Sequence, residues 1–226
     1  MVTSTVSLPR DAANVAVLLD SPEIDALIAR LEATRWTGRP GYPIRAMVGL
    51  ALVKSLYTLP TWTRAVALVR DHAALRAVLG AVPSVDAAYR FAAKLRKHDA
   101  ILTACISAVL ASLHEAKPEM GQTIAIDGSD LPAYGNGQRY VKRGGELRKR
   151  FADPDASWGH RSSISTRSGG GYYGYKVHAA VCTTTGLPLA WQVETAKDSE
   201  LPLVPVLLDA AAGRGFMPDV CAGPGL

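Results

Sequence analysis

Cysteine is scarce in this chain of 226 residues: Cys105, Cys182 and Cys221 are the only three, far apart and without a C-x-x-C spacing. That excludes a disulfide framework and a zinc site, and leaves the thiols as small core fillers in a reduced, cytosolic protein. The five histidines are scattered and form no H-x-x-x-H pair, so the helical metal motif is absent as well. Gly169-Gly170-Gly171 precedes neither a Lys-Ser/Thr pair nor a helix, which excludes a phosphate-binding loop. No basic stretch leads into an apolar one near Met1, so no signal peptide is expected. The longest uncharged apolar run, Ala100 to Leu113, is too short to span a bilayer, and no membrane partner is expected. What remains is a chain with 48% hydrophobic residues, a net charge of +5 and a pI near 9.2. That is enough apolar material for a sizeable core, and the positive balance favours an anionic partner such as nucleic acid.

The first half reads as helices. Ser21 and Pro22 open one with Ile24, Leu27, Ile28 and Leu31 on one face. Gly38-Arg39-Pro40-Gly41 breaks the chain, and Pro43 opens a second helix that stops before Pro60. A third starts near Thr61, with Trp62, Val66 and Val69 inward. Ala73 to Leu79 makes a short fourth, ended by Gly80. Ser84 caps a fifth bearing Val85, Ala88, Tyr89 and Leu95. Asp99 opens a sixth, with Ile101, Cys105, Val109 and Leu113 on one side. At Thr123 the period changes to two: Ile124 and Ile126 share one strand face, Ala125 and Asp127 the other. Residues 132–171 lack periodicity and carry turn signals at Gly135-Asn136-Gly137, Gly144-Gly145, Asp153-Pro154 and Gly169-Gly170-Gly171. Tyr172 to Thr183 reads as a strand, Thr184-Thr185-Gly186 as a hairpin turn and Leu187 to Thr195 as the returning strand. A helix over Leu201 to Ala212 and a strand over Asp219 to Ala222 follow. The class is α+β: an N-terminal helical domain, then an incomplete ribonuclease-H-like mixed sheet whose last strand lies beside the first.

Asp127 ends a buried strand, where such sheets gather carboxylates. Nucleic-acid strand cleavage is an in-line displacement at phosphorus. Two divalent metals about 3.5–4 Å apart can stabilise its attacking and leaving oxygens, and Mg²⁺ takes carboxylate and phosphate oxygens. Asp127 fits a first metal ligand; it also fits an Asp capping the Gly128-Ser129 turn. Asp130 fits the turn role better. The run Arg139-Tyr140-Val141-Lys142-Arg143-Gly144-Gly145-Glu146-Leu147-Arg148-Lys149-Arg150 holds six basic residues and one acid in twelve. It suits phosphate contact, or is a solvated surface loop. His178 shares a strand face with Lys176 and reads as structural.

Several segments occur in the order and spacing of one family. They are Gly41-Tyr42-Pro43-Ile44-Arg45-Ala46-Met47, Leu59-Pro60-Thr61-Trp62-Thr63, Pro83-Ser84-Val85-Asp86-Ala87-Ala88-Tyr89-Arg90-Phe91, Ala125-Ile126-Asp127-Gly128-Ser129, Asp153-Pro154-Asp155-Ala156-Ser157-Trp158-Gly159 and Gly174-Tyr175-Lys176-Val177-His178. Over roughly residues 40–222 the chain resembles the bacterial insertion-sequence transposases with a DDE active site. The resemblance implies an N-terminal arm over 1–39, a helical transposase domain over 40–118 and a catalytic domain over 119–226 with the basic insertion loop 132–171. It implies Asp127 as the first of three acids binding Mg²⁺ (or Mn²⁺), and DNA, the ends of the mobile element, as partner. Contacts are expected from Arg139, Lys142, Arg143, Arg148, Lys149, Arg150 and Lys176. A homodimer, or a heterodimer with intact transposase, and a cytoplasmic, nucleoid-associated location complete the expectation. The family's second Asp follows its fourth strand in a stretch like Met-Asp-x-Gly-Tyr-Asp. Here Ala222 is followed by Gly223-Pro224-Gly225-Leu226. Codons for Met-Asp-Gln-Gly-Tyr-Asp read one frame off encode that tetrapeptide and then a stop. The expectation is therefore a frameshifted, C-terminally truncated copy, inactive for want of the second Asp and the Glu. The alternative is a DNA-binding or dimerising fragment that competes with intact transposase.

Overall fold

The computed structural model describes residues 10–34, 41–135, 142–143, 146–147, 153, 155–161, 163 and 168–223. The break at Gly38-Arg39-Pro40, the Gly144-Gly145 turn signal and Asn136-Gly137 lie outside them. The chain divides into two compact units, residues 1–109 and 110–226.

The first unit is helical: α1 (Arg10–Leu19), α2 (Pro22–Ala33), α3 (Ile44–Leu56), α4 (Trp62–Asp71), α5 (Ala73–Leu79), α6 (Val85–Lys97) and the start of α7 (Asp99–Ala116). Local chemistry sets the boundaries. Thr61 accepts from the Arg64 amide and Ser84 from the Ala87 amide, each satisfying a donor that the first helical turn leaves open. Gly80, at φ +70°, closes α5 in the left-handed conformation. Leu19, Leu31, Leu50, Val53, Val66, Val69 and Leu75 are fully buried and form the centre of the core. Tyr89 is 51% exposed, while Ala88 and Phe91 take the inner side of α6. The helix α1 was not anticipated. The 18 residues of α7 are apolar enough to cross a membrane by length and composition, a longer stretch than the run to Leu113. Its Ile101, Leu102 and Cys105, partly buried, pack on the helical core, while Leu110 is the one residue of the helix that is buried.

The second unit is built on a five-stranded sheet. It contains β1 (Thr123–Pro132), β4 (Ser157–Arg161), β5 (Gly170–Cys182), β6 (Pro188–Thr195) and β7 (Val220–Ala222); β2 (Lys142–Arg143) and β3 (Glu146–Leu147) pair separately. The long strand β5 runs antiparallel to β1, β4 and β6. After β6 the chain passes through a 3-10 turn, Leu201–Leu203, into α8 (Val204–Ala212), and returns as β7 parallel to β1. The last strand thus lies beside the first, as the sequence predicts. Two expectations need correction. The first strand continues past Gly128-Ser129 to Pro132, because nine residues of β5 pair with it, so Asp130 is in a strand and not in a turn. The segment 132–171 is not one structureless loop: β4 lies within it, and β5 begins at Gly170.

The sheet has one covered face. Ile124, Ile126, His178, Ala180, Cys182 and Ala190 are buried there, and α8 packs on β5 and β6 with Leu207 and Ala211 buried. Phe216 is 1% exposed and meets the His114 ring edge-on at 5.1 Å. Phe216→Ala should cost about 3–5 kcal/mol, read as a lower urea midpoint at unchanged slope; a loss below about 1 kcal/mol would contradict this packing.

Candidate functional site

Asp127 sits within β1, opposite Ala179 of β5, on the uncovered face of the sheet. Alternation along β1 places Ala125, Ser129 and Leu131 beside it, and Asp127 and Ser129 are exposed. Its Oδ1 accepts the Gly128 amide at 2.7 Å. The strand next to it is β7, whose pairs with β1 are Thr123–Val220, Ile124–Cys221 and Ala125–Ala222. The strands are parallel, so the chain leaves β7 at the end of the sheet where Asp127 lies. The one acid at that strand, Asp219, stands at its other end, with its amide on the Gln122 carbonyl. Asp127 lies five residue steps along the chain from Gln122, about 16 Å in a strand.

Other charged side chains near β1 lie on the other face. Asp130 is opposite Lys176, with Oδ2 3.4 Å from Nε of Arg161, and the Arg161 guanidinium lies 4.7 Å over the Tyr172 ring. Period two puts Asp130 on the opposite side of the strand from Asp127, so the two carboxylates cannot share a metal. Lys176, expected to contact DNA, is half-buried on that same face, between Asp130 and Glu194. The backbone of Lys142 and Arg143 forms β2, while Arg139, Arg148, Lys149 and Arg150 lie outside the described residues. Among the described residues no three of His, Cys, Asp and Glu come together to hold a metal. By themselves they do not fit a two-metal centre, and no metal-dependent step is assigned to them.

The segment leading into β4 is tied to β5 by two phenols. Tyr173 donates to the Asp153 carbonyl at 2.5 Å, and Tyr175 to Asp153 Oδ1 at 2.8 Å. The bond to Asp153, with burial and the acidic neighbours, pushes the Tyr175 pKa up to about 12. A raised folded-state pKa means that this contribution is complete below the ordinary value near 10 and is lost as pH rises through about 12. Alkaline unfolding should therefore steepen over that window and lose the step in Tyr175→Phe; an unchanged profile in the variant would contradict it.

Two family models match the chain. A Transposase DDE domain matches residues 118–221, and a Transposase domain (DUF772) matches residues 6–94. The chain belongs to the insertion-sequence DDE transposases. Its class is DNA transposition, its family binds DNA and uses divalent metals, and its DDE domain is ribonuclease-H-like. No curated protein and no solved structure matches the chain. Sequence reasoning singled out Asp127 in this transposase, but not the approach of Glu200 to the neighbouring Gly128. The ideal Cβ position of Gly128 lies 2.7 Å from Oε1 of Glu200. No local pattern joins residues 72 apart; only the return of the chain after β6 does.

Proposed function

We propose that this chain is a DNA-binding transposase polypeptide that carries Asp127, the first metal-binding acid, and does not by itself perform strand cleavage or transfer. One observation supports this above the others: Asp127 stands exposed on its sheet face, and among the described residues no three of His, Cys, Asp and Glu come together to hold a metal. In-line phosphoryl transfer with Mg²⁺ or Mn²⁺ needs ligands shared between two ions. One carboxylate cannot supply them, and losing ligands that act as a unit removes most of the rate.

Binding would rest on the basic segment Arg139, Lys142, Arg143, Arg148, Lys149 and Arg150, with Lys176 in a lesser part because it is half-buried. The helical domain over 40–118 would hold the ends of the mobile element or a second subunit, in the cytoplasm at the nucleoid. The second reading, a competitor of intact transposase in homodimers or heterodimers, follows from binding without cleavage.

Titration of the purified 226-residue chain with labelled element-end DNA at several salt concentrations tests this. Binding that weakens steeply with salt, and lower transposition when the chain is added to intact transposase, are the expected results. No binding in low salt would overturn the proposal.

A further inference from the structure

The outer side of α6 is basic. At about 3.6 residues per turn, Tyr89, Arg90, Arg96 and Lys97 fall within an arc of about 120°, with Ala93 at its middle. The four long side chains are exposed and Ala93 is half-buried. On the inner side Ala88 and Phe91 are buried, and α3 and α4 pack against the helix. The fourth cation of α6, Lys94, is engaged within the helical unit, where Nζ donates to the Leu31 carbonyl at 3.1 Å. Among the described residues Arg90, Arg96 and Lys97 form no ion pair. The acid on this side, Asp86, stands in the first turn, where the helix dipole favours it.

Helix stability accounts for only part of this pattern. Arg96 and Lys97 lie in the last turn, where cations offset the dipole. Arg90 stands mid-helix and gains little from it. An exposed tyrosine set among cations is the composition of a contact surface for an anionic partner. The small Ala93 keeps the centre of that surface low, so a partner can approach the helix closely. The 13 residues of α6 make a rod about 20 Å long. The major groove of B-form DNA, about 12 Å wide, admits such a helix.

We propose that α6 enters the major groove and reads sequence there, with Arg90 on a guanine edge and Arg96 and Lys97 on the flanking phosphates. The proposal rests on the reading of the chain as DNA-binding. It assigns sequence recognition to the helical unit, separately from the basic segment over 139–150. An Arg guanidinium can give two parallel N–H bonds to O6 and N7 of guanine, whereas a Lys ammonium acts as a point charge.

The test begins with selection of duplexes from a random-sequence pool on the purified full chain. The enriched duplex and a shuffled one of the same composition are then titrated by fluorescence anisotropy across a salt series. The samples are the unaltered protein, Arg90→Ser, Arg90→Lys and the double variant Arg96→Ser with Lys97→Ser. The altered side chains are exposed, so the melting temperatures should stay unchanged. Both Arg90 variants should lose the preference for the enriched duplex by about tenfold or more, and Arg90→Lys should keep the salt slope. The double variant should weaken both duplexes alike, with a slope shallower by about 2. A preference kept in either Arg90 variant, or a slope unmoved in the double variant, overturns the proposal. So does a pool that yields no enriched sequence while DNA is bound, which leaves the DNA-binding reading standing. No binding to any duplex in low salt would overturn that reading with it.

Discussion

Replacing Arg139, Lys142, Arg143, Arg148, Lys149 and Arg150 together by serine should weaken DNA binding about a thousandfold in low salt. Each cation that neutralises a phosphate releases condensed counterions, so affinity falls with salt at a slope of about −0.9 per contact on logarithmic axes. Six contacts account for a slope of about −5, and the sixfold variant should make the measured slope shallower by about that much. The segment holds one acid, Glu146, against these six cations, so little of its charge is neutralised within it. Fluorescence anisotropy across a salt series checks this, and a slope left unchanged by the six substitutions would move the DNA contacts elsewhere on the molecule.

The second large effect is on folding. In Gly174→Ala the new Cβ would lie 2.7 Å from the Ala133 amide nitrogen and 2.9 Å from Pro132 Cα, and closer still to the Leu131 carbonyl oxygen. All three are backbone atoms of β1 and its continuation, which no rotamer change can move. Gly174 is also where β5 pairs with Pro132, with Ser157 of β4 and, through its carbonyl, with the Ala196 amide. The expected cost is roughly 3 kcal/mol or more, a large part of a domain's stability. Urea unfolding followed by circular dichroism would show it. A loss below about 1 kcal/mol would mean that β1 and β5 are not in this contact.

How far the fold could be read from the sequence depends on where each signal resides. The helices α3 to α6 carried their boundaries locally, in Thr61, Ser84 and Gly80, so they could be placed without knowledge of the rest. The strand β1 could not be followed past Gly128-Ser129, because that pair has turn chemistry. The strand conformation there is imposed by β5, whose residues 174–182 hold the whole length of β1 in register. The strand β4 was hidden for the same reason: its partner is the glycine-rich start of β5, Gly170 to Gly174, which reads as a breaker. At the site, period two gave the face of Asp127 and the shared face of Lys176 and His178. It could not say which face α8 covers. The burial of His178, the placement of Lys176 and the approach of Glu200 to Gly128 are all consequences of that one packing choice.

The most direct measurement is strand cleavage. The purified 226-residue chain and its Asp127→Ala variant would be incubated with element-end DNA, at a salt concentration where the chain binds, with Mg²⁺ and separately with Mn²⁺. Nicks and joined products would be scored on denaturing gels. Equal, background-level cleavage by the two proteins, both still bound to the DNA, is the predicted result. Cleavage or joining above background that is lost in Asp127→Ala would contradict it, because Asp127 would then have the metal ligands it needs within this chain.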